Sequence, residues 1–303
     1  MDSKPLVSFI IVTYNQENYI GDALDGALSQ TYSPMEIIVS DDCSSDNTMG
    51  VVEDVVSRYS GQHQLRINRN EVNLGIAQNV NKAMQMANGE IFIVAAGDDK
   101  SFPERTQRTV DLFSQYPQVV CINFNSILCN RDLKPMAQKQ VAVKEREALS
   151  IINMYDYCEF TDFVLWSGDT RSIRRSVYDV FGPLVYGKDE DSAYFVRSLL
   201  LGGVCHSQEP MSWRRIHGMN VSDFRNIKKY IAADFIGQPN NDIQIALQKG
   251  LITDSMAKRM QYKIRQADRL LADRYYSSTN KWYRMIYQRP TDLLRRIKNK
   301  LFA

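Results

Sequence analysis

Two adjacent-acid pairs, Asp41-Asp42 and Asp98-Asp99, each follow a short apolar run, and a third acidic cluster, Lys188-Asp-Glu-Asp191, precedes a helix-like segment. Carboxylates gathered in one crevice repel unless a cation or a donor-rich ligand compensates. Asp98-Asp99 offers hard oxygen ligands that suit Mg2+ or Mn2+, with substrate phosphates completing the shell. A nucleoside diphosphate would need such a metal, because the sequence holds neither a Walker loop nor a GxGxxG. Asp41 or Asp42 can accept the N3–H of uracil or thymine, or hold a ribose hydroxyl. Capping of the next helix by Asp42 or Ser44 is the alternative, and the two roles are compatible. Asp191, next to Glu190 at a helix start, is kept ionised by the helix dipole and suits a general base acting on a hydroxyl. A solvated acidic loop is the plainer reading of that segment. His217, in Trp213-Arg-Arg-Ile-His217-Gly-Met-Asn220, sets an imidazole, guanidinium groups and an amide near one another, a set that binds phosphate oxygens or a metal. Of the other two histidines, His63 in Gly-Gln-His-Gln is expected to be exposed and His206 to be structural. No GxSxG elbow supports serine-hydrolase chemistry.

The elements that must carry these residues alternate over the first hundred positions. Val7–Val12 and Ile91–Ala95 are continuous apolar runs suited to strands buried on both faces, and Glu36–Ser40 and Leu65–Ile67 read as further strands. Apolar spacing places helices at Tyr19–Ser29, Met49–Tyr59 and Gly75–Ala87. This β-α-β-α-β-α-β order predicts a doubly wound, mostly parallel α/β sheet flanked by helices. In open sheets of this kind ligands bind beyond the carboxyl ends of the strands, where Thr13-Tyr14-Asn15, Asp41-Asp42 and Asp98-Asp99 all fall. Further on, Pro103–Tyr116 and Ser192–Leu201 read as helices, Val119–Leu128, Phe163–Ser167 and Ser172–Arg174 as strands, and Arg131–Glu147 as a polar loop. From about 225 onward the pattern is a helical C-terminal extension, with candidates at Ile243–Leu247, Met256–Leu271 and Thr291–Leu301. The expected division is a domain over 1–222, with a nucleotide-binding half (1–100) and an acceptor-binding half (101–222), followed by a basic helical region over 223–303.

Composition sets the outer limits. The chain has 303 residues, 44% hydrophobic and 24% charged, which excludes a disordered or fibrous chain. No run of eighteen apolar residues exists, and Met1–Ser8 lacks the apolar stretch of a signal peptide. Five scattered cysteines without CxxC spacing indicate neither zinc nor disulfides, and a cytoplasmic location is the expectation. Residues 251–303 carry 13 Lys+Arg against 4 Asp+Glu, so a net +9 tail leaves −7 on the rest of a chain whose total is +2. Within 281–303, Trp282, Tyr283, Ile286 and Tyr287 interleave with Lys and Arg. This segment fits peripheral contact with the inner face of the cell membrane, or equally a helix packed on the body with its charges solvated. The helical C-terminal region could also form a homodimer contact. Nucleic acid is not an expected partner, because the body is acidic and no recognised module is present.

Taken together the residues resemble the family 2 glycosyltransferases. The likeness runs from Val7-Ser-Phe-Ile-Ile-Val-Thr-Tyr-Asn15 with Glu17, Tyr19 and Ile20, through Leu28-Ser-Gln-Thr-Tyr32 and Glu36-Ile-Ile-Val-Ser-Asp-Asp-Cys-Ser-Ser-Asp-Asn-Thr48. It continues with Asn73-Leu-Gly75, Asn79, Gly89-Glu90, Ala95-Ala-Gly-Asp-Asp99 and Pro103, and extends through Glu190-Asp191 with Arg197 and Trp213–His217 to about residue 222. The resemblance implies the GT-A fold and a nucleotide-sugar donor, with UDP favoured and GDP or dTDP open. It implies a glycan or lipid-linked glycan acceptor in surface polysaccharide synthesis.

Position by position, the resemblance implies that Tyr14 and the backbone at Thr13 pack on the base. Glu17 would hold the ribose or base side, and one of Asp41 and Asp42 the base. Asn73 and Gly75 would shape the nucleotide loop. Asp98 would lie near the ribose, Asp99 on Mn2+ or Mg2+, and His217 at the diphosphate or metal. Asp191 would be the base of an inverting single displacement. Two departures stand out: Ala96 replaces the first acid of an Asp-x-Asp-Asp pattern, and Cys43 stands where the family has Gly. A catalytically inactive nucleotide-sugar-binding module and a nucleotidyltransferase are the competing readings. The latter lacks its Gly-rich basic loop after the first strand, since Thr13-Tyr-Asn-Gln-Glu17 stands there.

Overall fold

The computed structural model describes residues 4–136, 148–159, 168–186, 190–218 and 232–279. The expected strand Phe163–Ser167, the expected helix Thr291–Leu301, Asn220 of the His217 segment and the basic segment 281–303 lie outside them.

Strands β1 (Val7–Thr13), β2 (Met35–Asp41) and β4 (Ile91–Ala96) are buried almost throughout, as their mainly apolar sequences lead one to expect. β3 (Gln64–Arg69) closes one edge. β1 lies between β2 and β4, parallel to both, with Thr13 beside Asp41 and Val12 beside Ala96. This register brings the carboxyl ends of three strands into one row. Helices α1 (Ile20–Leu28), α2 (Thr48–Arg58) and α3 (Ile76–Met86) make the crossovers.

The second half departs from the parallel pattern. After β5 (Lys100–Ser101) and α4 (Arg105–Gln115) come β6 (Val119–Cys129), β7 (Leu149–Ile152), α5 (Met154–Glu159) and a 3-10 turn over Gly168–Thr170. Then follow β8 (Ser172–Arg174), α6 (Arg175–Phe181), α7 (Glu190–Leu201), β9 (Gly203–Arg215), α8 (Ala232–Gln248) and α9 (Asp254–Thr279). The sheet order is β3-β2-β1-β4-β8-β6-β9-β5, with β7 paired to β9. β8 runs antiparallel to β4 and β6, and β9 runs parallel to β6. The two residues of β5 pair with Ser212 and Trp213, so the end of β9 is fastened beside Asp98-Asp99.

Side chains on successive strand positions alternate between two cores. Phe9, Ile11, Ile37 and Ile93 meet α1, α2 and α4, while Ile10, Val12, Ile38 and Phe92 meet α3, α6 and α7. Ile243 and Ala246 of α8, and Met260 and Ile264 of α9, belong to that second core. Ile243, Met260 and Ile264 each contribute about 1.5–3 kcal/mol on removal from water, so burial binds α8 and α9 to the sheet.

Candidate active site

The first wall forms where β1 and β2 end. Thr13, buried, donates its hydroxyl to Gln16 (2.8 Å), and its carbonyl accepts the Asp42 N–H (2.9 Å). Asn15 turns the chain with φ 51°. It donates its N–H to Ser44 Oγ (2.8 Å) and accepts the Ser45 N–H on Oδ1 (2.8 Å). Glu17 accepts the Asn47 N–H at 2.8 Å. Tyr14 stands at the tip of this turn, 46% exposed.

Asp41 and Asp42 are both buried and divide their labour. Asp41 accepts the Ser44 N–H (2.9 Å) and hydroxyl and lies 3.6 Å from Arg69 Nε. Asp42 reaches across to the 70–75 loop, accepting N–H groups from Leu74 and Gly75 (both 2.8 Å) and the Asn70 amide (2.9 Å). Neither caps α2: the Thr48 N–H is taken by Asp46 (3.0 Å), so the capping alternative fails for both Asp42 and Ser44. Cys43 has φ 63°, a left-handed conformation that glycine adopts more readily than a residue with a side chain.

Asn73 accepts the Gly75 N–H at 3.2 Å, and Gly75 itself has φ 82° and ψ 160°. That region is essentially restricted to glycine. Nothing lies within 4 Å of a Cβ added at Gly75, so the penalty for a side chain is conformational alone. Gly75→Ala is therefore expected to lower stability by about 1–3 kcal/mol, measured by urea denaturation. An unchanged midpoint would mean that the loop adopts another conformation.

The second wall is built from the β4–β5 turn and the end of β9. His217 Nε2 lies 2.9 Å from Asp98 Oδ2, and its ring stacks on Tyr19 with centroids 4.7 Å apart. The Arg215 N–H donates to Asp99 Oδ1 at 2.8 Å. Its guanidinium, fully buried, donates to the Asp98 carbonyl and to Asp22 (both 2.6 Å) and lies over Tyr19. The imidazole thus faces Asp98, while Asp99 faces the backbone. Burial, then the neighbouring Asp98 charge, push the Asp99 carboxyl well above its usual range despite the Arg215 N–H, with Asp169 adding to the rise.

The third wall comes from β8 and α7. Arg171 immediately precedes β8, and its carbonyl accepts the Val94 N–H (3.0 Å), which fixes it on β4. Its buried guanidinium donates to Asp191 at 2.6 Å and lies 3.9 Å from Glu190. Burial opposes the Arg171 charge, but Asp191 and Glu190 hold it protonated above the usual range. Asp191 sits in the first turn of α7 with its side chain 40% exposed, whereas Glu190 is nearly covered, so Asp191 is the carboxylate of the pair open to solvent. Asp169 accepts the Ser126 hydroxyl nearby.

Arg197, quoted with Asp191 in the sequence, is elsewhere: fully buried, it binds Asp242 of α8 through two contacts of 2.8 and 3.1 Å. His63, expected to be exposed, is buried, because its Nε2 meets the Gln30 carbonyl at 3.1 Å. Arg215, read in the sequence among guanidinium groups for phosphate oxygens, instead binds the Asp98 carbonyl and Asp22. Arg171, Asp22 and Asp169 escaped the sequence reading. No spacing signal marks them, since each is recruited by a strand end distant in the chain. A cavity of about 370 Å3 lined by Glu90, Arg174 and Arg175 opens at the amino end of β4, away from these acids.

Among the described residues no group of three or more His, Cys, Asp or Glu is arranged to hold a metal by itself. Asp98 with His217, beside a second carboxylate whose charge is costly, fits a divalent cation only if other ligands complete the shell. Diphosphate oxygens are such ligands.

The fold matches solved GT-A structures. S. aureus TarS residues 1–349 in complex with UDP superimposes with a TM-score of 0.63 at 16% identity, over 92% of this chain and 76% of that one. The mannosyltransferase PcManGT from Pyrobaculum calidifontis, in complex with GDP-Man and Mn2+, gives 0.58 at 15%, over 92% and 77%. An uncharacterised glycosyltransferase of Haemophilus influenzae (strain ATCC 51907 / DSM 11121 / KW20 / Rd) is 25% identical over 79% of this chain and 74% of its own. TuaG of Bacillus subtilis (strain 168), named as a teichuronic acid biosynthesis glycosyltransferase, is 31% identical over 37% of this chain and 43% of its own. Several other curated relatives are likewise matched over less than half of their length. The model of the family described as Glycosyl transferase family 2 matches residues 8–181, more than half of the chain. With that match on a GT-A sheet whose acids line the carboxyl edge, the chain belongs to glycosyl transferase family 2.

Proposed function

We propose that this glycosyltransferase moves a sugar from a nucleoside-diphosphate donor, with UDP favoured, to a hydroxyl of a glycan or lipid-linked glycan, with inversion. The observation that carries the reading is the placement of Asp191, on Arg171, at the same sheet edge as the Asp98–His217 pair. A bound Mn2+ or Mg2+, held by Asp99 or Asp98 with His217, would neutralise charge on the diphosphate. The first wall takes the nucleoside: Tyr14 packs on the base, and Asp41, Asp42, Glu17 and the Asn73–Gly75 loop frame it. Asp191 accepts the proton of the acceptor hydroxyl. That oxygen forms its bond to the anomeric carbon as the bond to the diphosphate oxygen breaks, and the electron pair leaves with the nucleotide. Holding donor and acceptor in line lowers the entropic part of the barrier.

Support for UDP comes from the TarS complex, while the GDP-Man complex of PcManGT keeps GDP in contention. The name of TuaG supports a role in surface polysaccharide synthesis. A thermal-shift screen of UDP-, GDP- and dTDP-sugars, each with Mn2+ and Mg2+, tests the donor. No shift with any of them would remove the reading, and a shift without transfer to any glycan would favour the inactive binding module.

A lipid-linked acceptor implies work at the inner face of the membrane. No described helix is long and apolar enough to cross one. On α9, Ala257, Met260 and Ile264 face inward, whereas Lys258, Tyr262, Arg265 and Arg269 form an outward stripe. Each basic residue near an anionic surface contributes about 1 kcal/mol, and the 281–303 segment adds more. The full chain is expected to pellet with phosphatidylglycerol vesicles and not with phosphatidylcholine ones, and removal of 281–303 to weaken that binding. Equal pelleting of both chains would exclude the tail.

A further inference from the structure

Between α6 and α7 the chain runs through Gly182–Tyr186 with its backbone secured from three sides. Gly182 donates its N–H to the Tyr178 carbonyl (2.7 Å), and its own carbonyl accepts Arg197 Nη1 (2.7 Å). The Leu184 N–H goes to Asn81 Oδ1 (2.8 Å), and the Leu184 carbonyl accepts Asn81 Nδ2 (2.8 Å) and Gln78 Nε2 (3.1 Å). The Val185 and Tyr186 N–H groups both donate to Gln238 Oε1 of α8, at 2.7 and 2.9 Å. Gln238 is itself buried and anchored, giving its amide to Asp242 Oδ1 (2.8 Å), the partner of Arg197.

The side chains on this locked backbone nevertheless face solvent: Val185 is 66% and Tyr186 47% exposed. The Tyr186 ring leans on Gly237, where an added Cβ would lie 3.1 Å from Cδ1. Leaving an apolar residue and an aromatic exposed gains nothing for the fold, yet six hydrogen bonds from α3, α7 and α8 hold them in place. Position in the fold suggests what they serve. Gln78 is one helical turn from Gly75, which binds Asp42 on the nucleoside wall. On the other side, only residues 187–189 separate Tyr186 from the first turn of α7, which bears Asp191.

We propose that Val185 and Tyr186 form a platform for the acceptor, with the Tyr186 ring stacked on the C–H face of a pyranose, and that Gln238 is the residue that positions it. The inference rests on the glycosyltransferase reading above and extends it to acceptor recognition. The C–H face of a pyranose is apolar and flat, so it packs on an aromatic face while its hydroxyls stay hydrated. A pre-ordered ring loses little conformational entropy when it binds. This gives α8, beyond the matched residues 8–181, a part in choosing the acceptor.

The test measures binding of p-nitrophenyl β-glucoside, β-galactoside and β-N-acetylglucosaminide by saturation-transfer NMR titration, with and without UDP and Mn2+. The full chain is compared with Tyr186→Phe, Tyr186→Ala and Gln238→Leu. The unsubstituted chain is expected to bind at least one glycoside, and Tyr186→Phe to bind it equally. Tyr186→Ala should weaken binding by about five- to ten-fold. Gln238→Leu should weaken it comparably with the ring intact, while the UDP thermal shift stays unchanged in every variant; a merely structural role for Gln238 would not separate the two ligands. Unaltered glycoside binding by Tyr186→Ala, or binding of none of the three by the unsubstituted chain, overturns the platform. Absence of a UDP shift in the unsubstituted chain would instead sink the donor reading, and glycoside binding that depends on Tyr186 would still uphold the platform.

Discussion

Asp191→Asn is expected to abolish sugar transfer while leaving nucleotide-sugar binding within about two-fold. General-base removal lowers turnover by about 10²–10⁴-fold, because the amide cannot take a proton from the acceptor hydroxyl. The substitution is close to isosteric, and its oxygen can still accept from Arg171, which donates to Asp191 at 2.6 Å. The buried guanidinium keeps Glu190 at 3.9 Å, so its charge is not left without a counter-ion. The side chain of Asp191 is 40% exposed, and solvent screening limits the loss of stability to about 1–2 kcal/mol. The donor giving the largest thermal shift is the substrate for the assay. Turnover near normal in this variant would remove Asp191 from the base role. Loss of donor binding together with turnover would mean that Asp191 holds the donor instead.

The half of the site proposed to take the nucleoside was legible because it is made of strand ends. The mainly apolar stretches at Val7–Val12, Glu36–Ser40 and Ile91–Ala95 locate β1, β2 and β4 to within about two residues, and the parallel register then sets Thr13 beside Asp41 and Val12 beside Ala96. The other half is written in residues that hydrophobic patterning treats as solvent-facing. β9 reads Gly-Val-Cys-His-Ser-Gln-Glu-Pro-Met-Ser-Trp-Arg-Arg, and it buries Ser207, Ser212 and Arg215 because they face polar partners rather than oil. Its register against β6 shifts near Asn125 and Pro210, so no period of two survives along it. Buried Arg105 shows the same blind spot: it donates to Ser101 Oγ and the Val94 carbonyl (both 2.9 Å), and burial pulls it down to about 10. A charge count places such a residue on the surface. Only the crossing of β4, β5 and β8 supplies the acceptors that bring it inside.

Replacing Asp99 by Asn should separate what the carboxylate does for the ligand from what it costs the fold. With its Oδ1 retained, the amide still accepts the Arg215 N–H, which lies 2.8 Å away in the native chain. The charge is lost, and with it the attraction for a divalent ion, so Mn2+-dependent UDP binding is expected to fall by about ten-fold or more. Stability of the ligand-free chain should move the other way. Burial and Asp98 raise the Asp99 carboxyl above its unfolded value, so the folded state holds its proton more tightly than the unfolded one. For a group shifted in that direction, stability is fully present below the unfolded value and is lost as pH rises through the folded one. An asparagine does not titrate. The variant should therefore match the native chain in acid and become the more stable of the two as pH rises toward neutrality. Isothermal titration of UDP with and without Mn2+ reads the first effect, and urea denaturation at several pH values without metal reads the second. Unaltered metal dependence would move the cation onto Asp98 and His217 alone. A variant less stable than the native chain at neutral pH would mean that the Asp99 charge is compensated where it stands, leaving a cation no electrostatic debt at that carboxylate to relieve.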